Sequence, residues 1–290
     1  MGTLRTIIME NYDLHTHSNA SDGSLTPTEL IAHAKQCGTD VLAITDHDIT
    51  DGLSEAITAA NDAEMAFVPG IEISITWAHQ TIHMLGLHID PANAELQAGI
   101  KKLQAFREVR AARISEKLEK AGISGALAAA NRLAEGNIIS RTHFAHFLVE
   151  QGHAKDVKQV FKKFLVRNKP GYVAGEWADL EEAIQWVRAA GGLAVIAHPA
   201  RYQLSANKMR QMLAAFRDCG GVGIEVVSGS HSASDIQRFT HVAEYFGLYA
   251  SRGSDYHGKH TAYADPKRLP ALPENCRPVW THSDWYAAAG

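Results

Sequence analysis

Residues 12–27 read YDLHTHSNASDGSLTP, in which a short strand-like run ends in closely spaced polar side chains. His15 and His17 are two residues apart, so on a strand their side chains point to the same side of the sheet. Asp22 follows in a loop that is short enough to fold back over the strand end. A single His-x-His pair is a weak signal, but this stretch indicates a strand whose end carries groups that bind metal ions.

The same arrangement recurs along the chain, because further apolar runs end in, or are interrupted by, histidine or a carboxylate. These runs are VLAITDHD (41–48), FVPGIEIS (67–74), IHMLGLH (82–88), LAVIAHP (193–199) and YASRGSDYH (249–257). One such residue is usually an ordinary loop residue, but nine in similar positions favour one shared hydrolytic metal centre. The predicted metal ligands are His15, His17, Asp22, His47, Glu72, His83, His198, Asp255 and His257.

Strand-like and helix-like runs alternate over most of the chain, which is typical of βα units around a parallel sheet. Strands are predicted near 8–15, 40–45, 66–73, 81–88, 193–198, 222–227 and 248–253. Helices are predicted near 27–37, 51–63, 179–190, 204–219 and 232–246. Seven strands predict an α/β barrel one unit shorter than the eight-stranded type, with the ligands at the C-terminal strand ends.

The stretch from about 91 to 172 interrupts this alternation, since it is rich in helical patterns and nearly lacks strand-like runs. It begins with ELQAGIKKLQAFREVRAARISEKLEKAG (95–122) and continues with helix-like segments near 124–134, 140–152 and 155–166. We predict a barrel formed by residues 1–98 and 173–290, with residues 99–172 inserted as a helical subdomain that covers the active site.

The composition excludes several classes of protein. The chain has 290 residues, 46% of them hydrophobic, and no apolar run approaches the roughly 20 residues that cross a bilayer. The three cysteines lie far apart without a CxxC pair, and no secretory pattern is visible, so we expect a cytoplasmic protein without a membrane partner. The net charge of −4 and the lack of a reader motif argue against binding to duplex DNA.

Charge is unevenly distributed along the chain. Residues 100–172 contain 15 Lys/Arg and 6 Asp/Glu, a balance of +9, whereas the remainder carries 13 basic and 26 acidic residues, a balance of −13. Two interpretations of the basic stretch stay open. It is either a solvated helical face or a cover that attracts a polyanionic substrate.

These motifs resemble those of the PHP (polymerase and histidinol phosphatase) phosphoesterases over essentially the whole barrel. DLHTHSNASDGSLTP, ITDHD, PGIEIS, IHMLG, AHP and GSDYH carry the resemblance, and all nine ligand positions of the family are present. The resemblance implies a distorted (β/α)7 barrel, similar to a TIM barrel, with up to three divalent ions at the C-terminal strand face.

Within this family, RTHFA (141–145) and AHPARYQLS (197–205) resemble the YciV/TrpH-like branch. That likeness implies removal of the 3′-phosphate from 3′,5′-bisphosphonucleotides, such as pAp to AMP and phosphate. In some members it also implies 5′–3′ exonuclease action on short, 5′-phosphorylated RNA.

By the same resemblance, the nine residues divide among three ions. One set is His15, His17, Glu72 and Asp255; the second is Glu72, His83 and His198, with Glu72 bridging; the third is Asp22, His47 and His257. A mixed imidazole and carboxylate set suits Mn²⁺, Fe²⁺ or Zn²⁺ better than Ca²⁺ or Mg²⁺, and Mn²⁺ is our first expectation.

Metal-assisted hydrolysis of a phosphate monoester needs no nucleophilic serine or cysteine, and the chain has no GxSxG or P-loop motif to supply one. The predicted catalytic residues are Glu72, His198 and Asp255, and the leaving ribose oxygen takes its proton either from His198 or from a water. A second phosphate is expected to meet planar guanidinium groups or a histidine beside the metal rim. The candidates are Arg201, Arg141 and His143.

Two other functions stay open. One is another phosphomonoesterase of the same fold, such as an enzyme that acts on histidinol phosphate. The basic insertion and Arg201 favour a substrate with two phosphates over that one. The other, of a different class, is a non-catalytic metal-binding scaffold module, which is disfavoured because every ligand position is retained.

Overall fold

A nearly closed, seven-stranded sheet forms the centre of the molecule in a computed structural model that describes residues 10–135, 138–258 and 265–285. In chain order the strands are β1 (Tyr12–Asp13), β2 (Val41–Ile44), β3 (Ala66–Trp77), β4 (Gln80–Leu87), β5 (Leu193–Ile196), β6 (Gly223–Ser228) and β7 (Tyr249–Gly253). Backbone bonds just beyond β1 and β7 link the two ends of the sheet, since His17 N donates to Tyr256 O over 2.9 Å.

The α-helices in these ranges are α1 (Pro27–Gln36), α2 (Leu53–Asp62), α3 (Ala94–Lys120), α4 (Ala126–Leu133), α5 (Arg141–Glu150), α6 (Val157–Val160), α7 (Leu180–Ala189), α8 (Ala206–Asp218) and α9 (Ala233–Phe246). The sequence marks the starts of most of these helices with capping residues, whereas α2 and α4 begin after Gly52 and Gly125 without a side-chain cap. Thr26 caps α1 in a capping box with Glu29, and Asp179 caps α7 by accepting from Glu182 N over 2.8 Å. None of these helices is long and apolar enough to cross a membrane.

Both faces of the strands are buried, as expected for a barrel with helices around it. Leu42 and Ile44 of β2 pack in the cluster that includes the outer helices. Ala43, between them, belongs to a second cluster with Val195 and Ala197. The strands therefore separate an inner from an outer apolar layer.

The prediction of a parallel sheet was wrong for one strand, because β4 runs antiparallel to both β3 and β5. The cause lies in the link between β3 and β4, which consists of Ala78 and His79 alone. Both residues have positive φ, 47° and 62°, as in the tight turns that reverse a chain between paired strands. A parallel connection would need a crossover of a dozen or more residues.

The ends of two predicted strands also differ from the structure. β1 is shorter than the predicted 8–15, and residues 8 and 9 lie outside the described ranges. β3 continues to Trp77, beyond the predicted end at 73, because its second half pairs with β4 through the register Trp77 to Gln80.

The stretch between 91 and 172 consists of helices joined by turns and irregular segments, and its described residues contain no strand, as predicted. It holds α3 to α6 and a π-helix at Phe161–Leu165. α3 spans two apolar clusters, since Leu96 and Leu103 pack with the barrel helices, whereas Ile114 and Leu118 pack with α4 and α5. The border between the two apolar clusters therefore lies within α3. The limits of the inserted subdomain, residues 99 and 172, stay a prediction.

A buried ion pair fastens α3 to the loop after β2. Arg107 donates to Asp48 Oδ2 from Nε over 2.8 Å and from Nη2 over 2.5 Å. Asp48 Oδ1 also accepts from Ser74 N over 2.7 Å. Asp48 has a φ of 51°, which a non-glycine residue adopts only where its surroundings hold it. Because Asp48 follows His47 directly, the pair fixes backbone beside a predicted metal ligand.

Replacing Arg107 with Met should therefore destabilise the fold by about 3 kcal/mol, because the Asp48 carboxylate would stay buried without a cation. The measurement is the free energy of unfolding in urea. A double variant that adds Asp48→Asn should recover part of the loss, since no charge is then left unpaired. Lys102→Met, which removes an exposed pair with Glu182 on the same helix, should cost less than about 1 kcal/mol. Equal losses for Arg107→Met and Lys102→Met would contradict the assignment.

Candidate metal centre

The structure brings all nine predicted ligand side chains together at one end of the barrel. They form four overlapping groups, and within each group one ligand atom of every residue lies within 4.8 Å of the others. The groups are His17/Asp22/His47/His257, His15/Glu72/His198, His15/His17/Asp255 and His47/Glu72/His83. The grouping resembles the predicted three sets but is more intermixed, since His15, His17, His47 and Glu72 each belong to two groups. Their role as ligands stays a prediction.

Glu72 lies at the centre of these groups and is fully buried, at 0% exposure. Its two oxygens face different imidazoles. Oε1 lies 2.9 Å from His83 Nδ1 and 3.0 Å from His198 Nε2. Oε2 lies 2.8 Å from His47 Nδ1, 3.3 Å from His17 Nε2 and 3.4 Å from His15 Nε2. One carboxylate therefore contacts five histidines, and each of its oxygens faces a different subset of them.

Asp255 is the second buried carboxylate of the centre. Its Oδ1 lies 3.3 Å from His17 Nε2 and 3.6 Å from His257 Nδ1. Its Oδ2 accepts a hydrogen bond from Arg201 Nη1. Asp255 and His198 both have positive φ, 56° and 28°, so two of the predicted ligands sit in backbone conformations that non-glycine residues rarely adopt.

Several of these buried atoms have no hydrogen-bond partner among the described residues, although a polar atom of another ligand is near. Asp22 Oδ1, His47 Nδ1 and Glu72 Oε2 are examples. His47 Nδ1 and Glu72 Oε2 are only 2.8 Å apart but lack hydrogen-bond geometry. A buried polar atom without a partner costs about 1–3 kcal/mol. Lone pairs that converge in this way fit a cation between them, and a set of imidazoles and carboxylates without thiolates fits Mn²⁺, Fe²⁺ or Zn²⁺.

Burial and charge set the protonation of the histidines. Burial lowers the pKa of His47 to about 4 and that of His198 to about 3, so both imidazoles are neutral near pH 7. Burial acts on His17 in the same direction, but the adjacent carboxylates of Asp255 and Glu72 outweigh it and raise its pKa to about 9. Because only neutral imidazole binds a metal ion, loading this centre would release a proton from His17.

Glu225 of β6 is a functional residue that the sequence analysis missed. Its Oε1 accepts from His15 Nδ1 over 2.8 Å, and its Oε2 accepts from the backbone N–H of His198 over 2.5 Å. Hydrogen bonds from the far nitrogen of a metal-binding imidazole to a carboxylate fix the orientation of the ring. A lone carboxylate inside the apolar run GIEVVS (223–228) was the available signal, since a carboxylate is rarely buried without a partner.

Two more residues hold the centre in shape. Asp46 accepts hydrogen bonds from Ser18 Oγ and Ser21 Oγ, each over 2.6 Å, and so fixes the loop that carries Asp22. Gly253 precedes Asp255 by two residues, and a Cβ there would collide with the Cβ of His15 and lie 2.9 Å from an oxygen of Glu225. Only glycine leaves room for His15 and Glu225 to meet beside β7.

Glu225→Gln should weaken metal binding about tenfold to a hundredfold while the fold is retained. The amide has a single acceptor oxygen, so it can satisfy His15 Nδ1–H or His198 N–H but not both. The measurement is a competitive titration of Mn²⁺ against a chelating dye, with the thermal unfolding curve recorded in parallel. Glu244→Gln, on the exposed face of α9, serves as the matched control. Equal affinity in the wild type and Glu225→Gln would show that Glu225 does not orient His15.

The three predicted phosphate-binding residues lie in different surroundings. Arg201 follows β5, is 42% exposed at its side chain and pairs with Asp255. The guanidinium of Arg141 lies 5.4 Å from the centre of the Phe161 ring, and its pKa is lowered by burial and by the charges of Arg107 and Arg201. His143 is 7% exposed, and its Nδ1 accepts from Ser140 N over 3.1 Å as part of the cap of α5. Only Nε2 of His143 is left for a ligand.

Comparison with known proteins identifies the family to which the chain belongs. A model of the PHP domain matches residues 13–228. The chain is 46% identical over 273 residues to a 3′,5′-nucleoside bisphosphate phosphatase of Chromobacterium violaceum, which covers 94% of this chain and 96% of that protein. It is 40% identical over 271 residues to the 5′-3′ exoribonuclease Rnm of Escherichia coli, which covers 93% of this chain and 92% of that protein. The chain belongs to the PHP domain family.

Two solved structures are similar over almost the whole chain. An amidohydrolase from Chromobacterium violaceum, with bound sulfate and no metal, has a TM-score of 0.91 at 46% identity and covers 96% of each chain. A protein from Bifidobacterium adolescentis assigned as a metal-dependent phosphoesterase has a TM-score of 0.81 at 27% identity, with 97% of this chain and 96% of that chain covered. The predicted distorted (β/α)7 barrel and the predicted family resemblance are confirmed.

Proposed function

We propose that this protein is a metal-dependent phosphoesterase that removes the 3′-phosphate from 3′,5′-bisphosphonucleotides, converting pAp to AMP and phosphate. One observation carries the proposal, namely that nine imidazole and carboxylate side chains converge beside a group of arginines. The relative from Chromobacterium violaceum, named for this reaction, supports it through 46% identity across almost the full chain.

The centre would hold three divalent ions, with Mn²⁺ as our first expectation and Fe²⁺ or Zn²⁺ as alternatives. The nine side chains provide N and O donors for them in the overlapping groups described above. When bound, such ions acidify a water and offset the negative charge on the phosphoryl oxygens. Glu72 would join two ions, because its two oxygens face different histidines.

His198 is proposed as a ligand and not as the acid for the leaving oxygen. Its Nε2 faces Glu72 Oε1 at 3.0 Å, and burial lowers its pKa to about 3, so it carries no spare proton near neutral pH. The leaving ribose oxygen would therefore take its proton from a water. Arg201 holds Asp255 in place from one side, and its side chain, which is 42% exposed, would also contact a phosphate at the rim.

The second phosphate would bind to the arginines between the insertion and the barrel. Arg141 is half-buried near Arg107 and Arg110, and burial together with the charges of Arg141 and Arg107 lowers the pKa of Arg110 well below its usual value. Asp48 compensates Arg107. Among the described residues, Arg110 donates hydrogen bonds only to the Val173 carbonyl, over 3.2 Å from Nη2, and its guanidinium carbon lies 5.3 Å from the centre of the Trp177 ring. Positive charges that lie this close together favour an anion between them. A phosphate fits this requirement, because each guanidinium can pair with two phosphate oxygens.

A substrate panel tests the reaction directly. With added Mn²⁺, phosphate release would be followed from pAp and from histidinol phosphate, and mononucleotide release from a short 5′-phosphorylated RNA. We expect fast release from pAp with AMP as the product, because pAp, unlike histidinol phosphate, offers both a scissile monoester and a second phosphate for the arginines. Rapid turnover of histidinol phosphate with slow turnover of pAp would refute the bisphosphate assignment, and no turnover of any substrate by metal-loaded protein would favour the scaffold alternative.

A second candidate function is 5′–3′ exonuclease action on short RNA. Two relatives favour it, the Rnm exoribonuclease of Escherichia coli and a 5′-3′ exoribonuclease of Haemophilus influenzae, which are 40% and 41% identical to this chain. Both activities need the same centre, since each hydrolyses a phosphoester next to a second phosphate. The two functions are therefore compatible in one site.

Arg141→Ala should raise KM for pAp about tenfold to a hundredfold, because a hydrogen-bonded pair of opposite charges is lost. Turnover of 4-nitrophenyl phosphate, which has one phosphate, should stay within about threefold of wild type. Arg132→Ala, which removes an exposed arginine from α4, is the matched control for both substrates. If Arg141→Ala slows both substrates equally, Arg141 does not discriminate the second phosphate.

A further inference from the structure

The segment from 155 to 169 carries an unusual concentration of exposed positive charge. It contains six basic residues, Lys155, Lys158, Lys162, Lys163, Arg167 and Lys169, and a single acidic residue, Asp156. All six basic side chains are exposed. We refer to these six side chains as the basic strip.

The backbone under the basic strip is held by apolar contacts. Val160 and Leu165 are buried in the apolar cluster of the insertion, and Phe161 and Phe164 pack against it. The π-helix at Phe161–Leu165 ends with a bond from Val166 N to Phe161 O over 3.1 Å. The six basic side chains therefore project from a segment whose backbone is anchored by these apolar contacts.

The basic strip is not neutralised by the protein in the part of the chain that the structure describes. None of its six side chains forms an ion pair there. The one carboxylate of the segment is engaged locally, because Asp156 Oδ1 accepts from Gln159 N over 2.7 Å and caps α6. An ordinary solvated helical face usually mixes both signs of charge, as the end of α3 does with Glu116, Lys117, Glu119 and Lys120.

The segment that carries the basic strip contacts Arg141, one of the predicted phosphate-binding residues, through Phe161. Phe161 lies under the guanidinium of Arg141, with 5.4 Å between the guanidinium carbon and the ring centre. Arg141 in turn is close enough to Asp22 and Arg201 for their charges to act on it. Arg141 therefore connects the predicted ligand Asp22, through its charge, with Phe161, the residue that directly precedes Lys162 and Lys163 in the chain.

We propose that the basic strip binds the phosphodiester backbone of a single-stranded RNA whose 5′ end occupies the metal centre. This inference rests on the proposed exonuclease function, and it assigns the downstream nucleotides a surface of their own. Single-stranded RNA fits better than a duplex, because only a flexible chain can leave the arginines under the insertion and turn onto an exposed helix. A mononucleotide such as pAp has no downstream nucleotides to place on the strip, so the strip would act on RNA and not on pAp.

The test is a charge reversal, Lys162→Glu with Lys163→Glu, in the full-length protein with Mn²⁺. Binding would be followed by fluorescence anisotropy of a ten-nucleotide RNA with phosphorothioate linkages, a 5′-phosphate and a 3′ dye, over a range of salt concentrations. The control is Lys208→Glu with Arg210→Glu, two exposed cations of α8 that give the same change in net charge. Steady-state turnover of pAp is measured for all three proteins.

We expect the reversal to weaken RNA binding by about tenfold or more and to make its dependence on salt shallower, since each lost phosphate contact removes about 0.7 from the slope of log K against log salt. The control should bind RNA within about twofold of wild type, and pAp turnover should be unchanged in both variants. Equal RNA affinity of the reversal variant and wild type, or an equal loss in the control, would overturn the inference. Displacement of the RNA by polyglutamate at matched charge would also overturn it, in favour of an acidic protein partner. Failure of wild type to hydrolyse either substrate would count against the proposed function alone, because the binding comparison needs no turnover.

Discussion

The contact between the Glu72 carboxylate and five imidazoles is the constraint on which the rest of the centre depends. A carboxylate at 0% exposure is stable only if positive charge or hydrogen bonds compensate its burial. The histidines supply that compensation, and they lower the pKa of Glu72 well below its usual value although burial acts in the opposite direction. The sheet must nearly close for this to occur, because His15 and His17 follow β1 whereas His198 follows β5. The nine side chains therefore converge only when the barrel is nearly closed.

The sequence predicted those features that depend on local patterns. Alternation of strand-like and helix-like runs gave the seven strands and the five helices around them, and polar residues at strand ends gave the nine side chains that converge. The direction of β4 was not predictable in this way, because Ala78-His79 lacks the glycine or asparagine that usually marks a two-residue turn. Glu225 and Asp48 were missed for a related reason. Their partners, His15 and Arg107, are 210 and 59 residues away in the chain, so only the folded structure pairs them.

The helical stretch between 91 and 172 contributes positive charge to the surroundings of the centre. The predicted ligands lie in a part of the chain with a balance of −13, and residues 100–172 have a balance of +9. Arg107, Arg110 and Arg141 bring part of this positive charge into the buried zone beside the centre. Such an arrangement would suit a substrate that is itself an anion, because cations held in the centre would offset the carboxylates and the arginines would offset the phosphates. It also explains why the insertion is fastened to the His47 loop through Arg107 and Asp48.

The metal content of Glu72→Gln tests the central claim most directly. Wild type and variant would be loaded with Mn²⁺, passed through metal-free buffer and analysed by mass spectrometry for bound manganese per chain. If Glu72 joins two ions, the neutral amide should lose both of them and keep only the ion held by Asp22, His47 and His257, whereas wild type keeps all three. Equal manganese in the two proteins, with both folded, would contradict the account, because the buried carboxylate would then have no part in holding metal.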